Sequence, residues 1–382
     1  MQRLSASSAK GRARKAGLST LAITLAFVVV TLAFVVVAVA PGAAQQPPVP
    51  EAARELFAVK TTVAPVDLYT PADPTAPRRL GDLVFQSGLQ IHGDDERFGG
   101  WSGLLLDPSG RTMLAVSDNG FWLHAELLRD AAGIPRGLTR VVMGPIRDIR
   151  GGRLDPFGED AEALAWLHGA RGPKVVVAFE HWHRLWAYPE GPGDRPLLSP
   201  LLALPEPVKL PRRVLRHPAN AGLEAVVEIA PGRLLLFSEG VPADEAPGAL
   251  RAWLADTTSG DAAPLALEPV EEGFAPTDAA LLTDCCVVLL ERRYRLLEGP
   301  AAAVLAIPLA DIRPGAVLRG RLLARLQPPV TVDNFEGLAV ERTRDGAARI
   351  LLLSDDNYRR SQRTLLMAFL WEEPRTAHAA AR

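Results

Sequence analysis

An all-β protein is the fold class the sequence predicts, specifically a β-propeller, and three observations predict it. After residue 44, long amphipathic helix patterns are scarce, and short runs of Val, Leu and Ile recur between Gly, Pro and Asp turns, the mark of many short strands. One sequence pattern then occurs five times. Each copy closes its second strand with an acid, at Asp118, Glu180, Glu239, Glu291 and Asp355, and successive separations are 62, 59, 52 and 64 residues. A unit of that length holding three or four antiparallel strands matches a propeller blade, whereas solenoid repeats run to about 20–40 residues.

The elements follow in chain order. Residues 1–44 carry five bases and no acid, with an uncharged apolar run from Leu18 to Ala40 behind Lys15. That layout predicts a secretory signal cleaved after Ala44. The run of 23 residues also has the length of an uncleaved inner-membrane anchor through residues 18–40. Either way the expected location is periplasmic or secreted, the alternative being an inner-membrane anchor carrying a periplasmic domain. Residues 45–79 read as a linker and first strand, 80–372 as the propeller, and 373–382 as a disordered tail. Within the body, the copies begin at Gly100-Trp-Ser-Gly, Asp160-Ala-Glu-Ala, Gly222-Leu-Glu-Ala, Pro276-Thr-Asp-Ala and Asp333-Asn-Phe-Glu-Gly. Two strand candidates precede the first copy, Val59–Leu68 and Leu83–Ile91. Because they need a place, six blades are expected, with one N-terminal strand completing the C-terminal blade and closing the ring against exposed edges.

Composition narrows the function. Residues 45–382 hold 37 bases against 44 acids, so the body offers no electrostatic footprint for nucleic acid. Cys285 and Cys286 are the sole cysteines; neighbours on a strand point to opposite faces, so two buried free thiols are expected and a thiolate metal site is excluded. The chain has no G-x-S-x-G elbow and no phosphate-binding G-x-x-x-x-G-K-[ST] loop.

In a propeller, repeated strand ends converge on one face around the axis. The five acids Asp118, Glu180, Glu239, Glu291 and Asp355 are therefore expected to gather, joined by an earlier set at Glu162, Glu224, Asp278 and Glu336, with Ser102 in the first copy. Crowded carboxylates need compensating cations, and calcium takes 6–8 oxygen ligands, so the five acids are assigned to metal. Arg184, Arg293 and Arg359 lie beside them and suit phosphate neutralisation. Ser117 and Ser354 are the candidate nucleophiles for an esterase version, with His183 as a catalytic candidate. His181 and His183 share a strand face without completing a zinc motif. The bland account of each acid is a turn or an inter-blade ion pair, and of Trp101, Trp122, Trp166, Trp182 and Trp186 it is blade packing.

The segments Trp101-Ser-Gly-Leu, Ser117-Asp-Asn-Gly, Asp160-Ala-Glu-Ala-Leu, Asn220-Ala-Gly-Leu-Glu-Ala, Asp333-Asn-Phe-Glu-Gly-Leu-Ala, Ser354-Asp-Asp-Asn and Gln362-Arg-Thr resemble the bacterial phytase-like family, described by the esterase-like activity of phytase. The resemblance runs from about Leu83 to Phe369. It implies an exported β-propeller acting on phosphoesters or esters, and it maps no nucleophile onto this chain. The expectation is thus a metal-assisted hydrolase of a small-molecule phosphoester or ester, at the acidic face. The alternative is a non-catalytic propeller that binds a ligand or a cell-envelope partner.

Overall fold

The computed structural model describes residues 55–189, 202–244, 246–282 and 285–371, all within one compact unit, Pro48–Arg382. The expected signal or anchor and the tail at 373–382 lie outside these residues. Among them the protein is a five-bladed β-propeller with two short 3-10 turns, Arg212–Leu215 and Leu309–Asp311.

Each blade is an antiparallel meander that begins at the axis. The first runs Trp101–Leu106, Thr112–Ser117, Phe121–Arg129 and Pro135–Pro145, with Phe57–Ala58 on its outer edge. Ala161–Gly169, Gly172–Phe179, Arg184–Pro189 and Glu206–Pro207 form the second. The third takes Leu223–Ala230, Arg233–Pro242, Leu250–Asp256 and Asp261–Glu268, and Val317–Arg319 joins its outer edge in parallel. Ala275–Leu282, Cys286–Arg295, Gly299–Pro308 and Arg321–Leu326 make the fourth. The fifth combines Asn334–Arg342, Ala348–Asp355 and Leu365–Trp371 from the C-terminal end with Leu83–Gly93 and Thr61–Pro65 from the N-terminal end.

That last pairing closes the ring as expected: Leu365 to Trp371 run antiparallel to Gln90 to Leu83. It also corrects the blade number from six to five. Both N-terminal strand candidates extend the fifth sheet outward, and among the described residues no strands remain for a sixth.

Five apolar clusters hold the ring, one in each interface between neighbouring blades. Trp122, Val175 and Tyr188 are buried between the first and second blades; Val226, Leu236 and Trp253 lie where the second meets the third. Val287 and Leu289 fill the next interface. Phe85, Phe335 and Phe369 join the fourth blade to the fifth, and Trp101, Met113 and Leu353 join the fifth to the first. Each such side chain contributes about 1.5–3 kcal/mol on leaving water. Alternate residues of a strand face opposite sides of its sheet, so period-two hydrophobicity serves both interfaces of a blade. Cys285 and Cys286 form a vicinal disulfide, which corrects the expectation of two free thiols.

Candidate functional site

The five innermost strands, Trp101–Leu106, Ala161–Gly169, Leu223–Ala230, Ala275–Leu282 and Asn334–Arg342, surround the axis. All begin at the same end, where the second strand of each blade finishes. Backbone pairing ties the acids to those beginnings: the N–H of Asp118 donates to Gly100, that of Glu180 to Asp160, and that of Glu239 to Gly222. Gly100 is left-handed at φ 63°, and a Cβ there would collide with the Asp118 carboxylate.

Every inner strand also carries a β-bulge against its partner, at Gly103, Glu162, Glu224, Thr277 and Glu336. A bulge re-aims one side chain. Counting outward from it aligns Glu180, Glu239, Arg292 and Asp355 in four blades. The fourth blade thus presents Arg292 where the others present acids, and Arg292 becomes the cation at the centre of the site. Its guanidinium lies 3.1 Å from Glu336. Burial opposes its charge, yet Glu336, Glu239, Glu224 and Glu162 together raise its pKa.

Six carboxyls of the cluster, Asp118, Glu162, Glu180, Glu224, Glu239 and Asp355, are pushed upward. Burial, reinforced by Asp160 and Glu336, raises Asp118 to about 7. Burial likewise lifts Glu180 to about 7, although its Oε1 accepts from Gly222 N–H at 3.1 Å. Asp355 reaches about 8 through burial and the charge of Glu336. Glu162 and Glu224 lie well above the usual carboxylate range, and Glu239 is raised, in each case first by burial. Glu336 is held in place by Ser102 Oγ at 2.9 Å and Asn334 Nδ2 at 2.7 Å. With one guanidinium among so many acids, this end of the axis carries a surplus of acidic groups.

One part of this cluster has the spacing of a metal centre. Ligand atoms of Asp160, Glu180 and His181 all lie within 4.8 Å of one another. His181 Nδ1 stands 3.0 Å from Asp160 Oδ2 and 3.6 Å from a Glu180 oxygen. Buried Asp160 Oδ1 has no hydrogen-bond partner, and an orphaned buried polar atom calls for an ion or water. His181 is itself left-handed at φ 55°, a backbone state that costs about 1–3 kcal/mol outside glycine.

The remaining expected residues are distributed as follows. Glu291 is fully buried, accepts from Val270 N–H at 2.9 Å and is raised by burial to about 7; it lies outside the cluster, one residue out of register with Glu180, Glu239 and Asp355. Asp278 is also fully buried, and its carboxylate accepts from Leu104 N–H at 3.1 Å, Leu338 N–H at 2.6 Å and Ala279 N–H at 2.8 Å. It therefore ties the fourth blade to the first and fifth across the axis. Arg184 stacks over Phe179 and Trp186 at 3.9 and 4.3 Å, with burial lowering its pKa to about 10. Arg293 pairs with Glu271 and Glu298, each at 2.7 Å. Arg359 is exposed in the turn after Asp355. Ser117 is buried, with Oγ 3.0 Å from Tyr358 Oη and 3.4 Å from Asp118, while Ser354 Oγ donates to Arg363 O at 2.6 Å and accepts from Leu365 N–H at 2.8 Å. His183 Nε2 donates to Pro218 O at 2.9 Å, and burial lowers its pKa.

Sequence reasoning missed Asp160 and Arg292 as site members, and it missed the approach of Ser238 Oγ to His217 Nδ1 at 3.4 Å. Asp160 was visible as the residue opening the second copy. Arg292 would have emerged from aligning the copies on their bulges instead of on their acids. Ser238 has no exposed surface, so that pair is closed to substrate as it stands.

A cavity of about 750 Å³ is at the other end of the axis. It is lined by the later parts of the inner strands, with Leu105, Trp166, Ile229, Leu281 and Val340 each from a different blade. Asp278 bridges the blades between this apolar hollow and the carboxylates.

The sequence profile of the phytase-like family, described as esterase-like activity of phytase, matches residues 96–358. No curated protein gives a match. Among solved structures, phage phi92 endosialidase matches with 8% identity and a TM-score of 0.38, over 86% of this chain and 60% of that one. The chain thus corresponds to less than two thirds of that protein's length.

Proposed function

The chain belongs to the phytase-like family, and from that premise we propose that it hydrolyses ester bonds, carboxylester or phosphoester, with a divalent cation at the acidic end of the propeller axis. The observation that carries this reading is the Asp160–Glu180–His181 group, whose ligand atoms lie within 4.8 Å of one another and where Asp160 Oδ1 is buried without a hydrogen-bond partner. The residues fit a divalent ion. Two carboxylates and an imidazole supply three donors, and Asp118, Glu224 and Glu239 add oxygens close by. An oxygen-rich surround of this kind favours calcium, while the imidazole is the donor that suits manganese or zinc. When bound, such an ion supplies Lewis acidity and an activated water.

The chain's own groups have matching roles. Asp118, near 7, sits where a carboxyl exchanges protons efficiently at neutral pH. Arg292 is the cation placed to meet negative charge developing at the centre of the cluster. Arg184 and Arg293 are already engaged, so a phosphate would meet net repulsion unless a metal neutralised the acids. A carboxylester meets no such barrier. We further propose that the protein works outside the cytoplasm, because its basic and then apolar residues 1–40 have the layout of an export segment.

The test is turnover by purified protein on short acyl esters, phosphomonoesters, phosphodiesters and phytate, with calcium, manganese, zinc or chelator. Metal-dependent hydrolysis that is lost in a folded Glu180→Gln, Glu239→Gln double variant is the expected result. Ion uptake without turnover on any substrate would move the account to a binding platform, and full activity in the double variant would remove these residues from the chemistry.

A further inference from the structure

The acidic site has an aromatic lip. Phe157 and Trp182 are each 55% exposed, and their ring centroids are 6.0 Å apart. Phe157 also packs edge-on against His181 of the candidate metal group, at 5.1 Å. Scattered single exposed apolar residues need no explanation. Two large neighbouring aromatics beside a carboxylate cluster do, because each could have packed into a blade interface like Trp101 and Trp122.

Both rings are held in position from below. The turn carrying Phe157 is shaped by Asp155, whose carboxylate accepts from Phe157 N–H at 3.0 Å and whose carbonyl accepts from Gly158 N–H at 2.7 Å. A Cβ on Gly158 would stand 3.0 Å from the Trp182 ring, so glycine lets the indole lie close over the turn. Arg184 then clips the two segments together. Its guanidinium donates to Trp182 O at 2.9 Å and to Gly158 O, while its other contacts fix it over Phe179 and Trp186. The lip is thus preorganised, and binding there costs little ordering.

We propose that Phe157 and Trp182, whose ring planes meet at 65°, form an L-shaped aromatic platform for a sugar ring in the ester substrate, one ring beneath its C–H face and the other along its side, with the sugar's hydroxyl edge turned toward Asp160 and its neighbouring carboxylates. The proposal rests on the hydrolase reading of the same site. A pyranose has an apolar C–H face for the aromatics and hydroxyl donors on its edge. The Asp160 carboxylate is 20% exposed beside the lip, an acceptor that a plain aryl or alkyl group would cover without supplying a donor. The acid surplus disfavours an anionic ring.

Binding is measured separately from hydrolysis by saturation-transfer NMR, using methyl α-glucopyranoside as the probe and phenol and hexanol as controls. The expected result is transfer to the glucoside's C–H protons with weak transfer to the controls. Trp182→Ala and Phe157→Ala should each weaken it about tenfold, the size of one lost stacking partner. Both positions are exposed, and unchanged melting temperatures establish that the variants fold. In turnover, Trp182→Ala should raise KM for an acetylated methyl glucoside and leave hexyl acetate unchanged. Glucoside binding without any hydrolysis upholds the platform and refutes the hydrolase reading. No transfer to the glucoside, stronger transfer to phenol, or binding indifferent to both variants overturns the platform whatever the turnover shows.

Discussion

Raising the pH in the presence of chelator should destabilise this protein, and calcium should cancel the effect. Asp118, Glu180 and Asp355 are raised in the folded state, so they favour folding at acidic pH, below their unfolded values of roughly 4. That contribution is lost as pH rises toward the folded values of about 7 for Asp118 and Glu180 and about 8 for Asp355. Between pH 6.5 and 8, Asp355 is mostly protonated in the fold, reaching half ionisation near the upper end, and is already ionised in the unfolded chain. That one group then costs about 2 kcal/mol over the interval, at roughly 1.4 kcal/mol per pH unit. For a domain of this size the loss is roughly 4 °C in Tm, and Glu162 and Glu224 add to it. His183 and His217 have lowered pKa values, so their contribution has the opposite sign and is confined mainly to pH below 7. The assay is differential scanning fluorimetry from pH 5 to 8.5, with chelator and with calcium. A chelated Tm that is flat or rising between pH 7 and 8.5 would refute the crowding of carboxyls at the axis.

Other outcomes follow from the same geometry. Arg292→Met should destabilise the metal-free protein by about 3–5 kcal/mol by stripping buried carboxylates of their counterion, and calcium should recover part of the loss, which denaturant melts with and without the ion will show. Asp278→Ala leaves the Leu104 and Leu338 N–H groups without their acceptor, costing roughly 1–3 kcal/mol for each; chemical denaturation should register this loss with calcium affinity unchanged. Glu291→Gln, outside the cluster, should leave metal affinity within twofold of wild type when measured by calorimetric titration.

The fold was legible because a propeller repeats its instructions. Period-two strands and five recurring acids announced the blades, and the need to cover an edge announced that Leu83–Gly93 would close the ring. Blade number was not legible, since nothing local shows that Leu83–Gly93 and Thr61–Pro65 stack outward on one sheet. The site was legible in its second and third blades, where the motif acids Glu180 and Glu239 end their strands. It was misaligned in the fourth, because a single residue of register separates buried Glu291 from Arg292 at the axis, and a bulge is a property of pairing that no single strand reveals. Trp182 also defied its expected place in blade packing, as it follows a left-handed His181 that turns the chain outward.

The most direct test of the central claim is a calcium, manganese and zinc titration of the metal-free protein at pH 7.5, run calorimetrically in buffers of different ionisation enthalpy, with Asp160→Asn alongside. The account predicts saturable binding of one of these ions with proton release, because ligands raised to about 7 must shed protons to bind, and a loss of at least tenfold in affinity in the variant. Absence of binding by all three ions, or binding unchanged by Asp160→Asn, would contradict it.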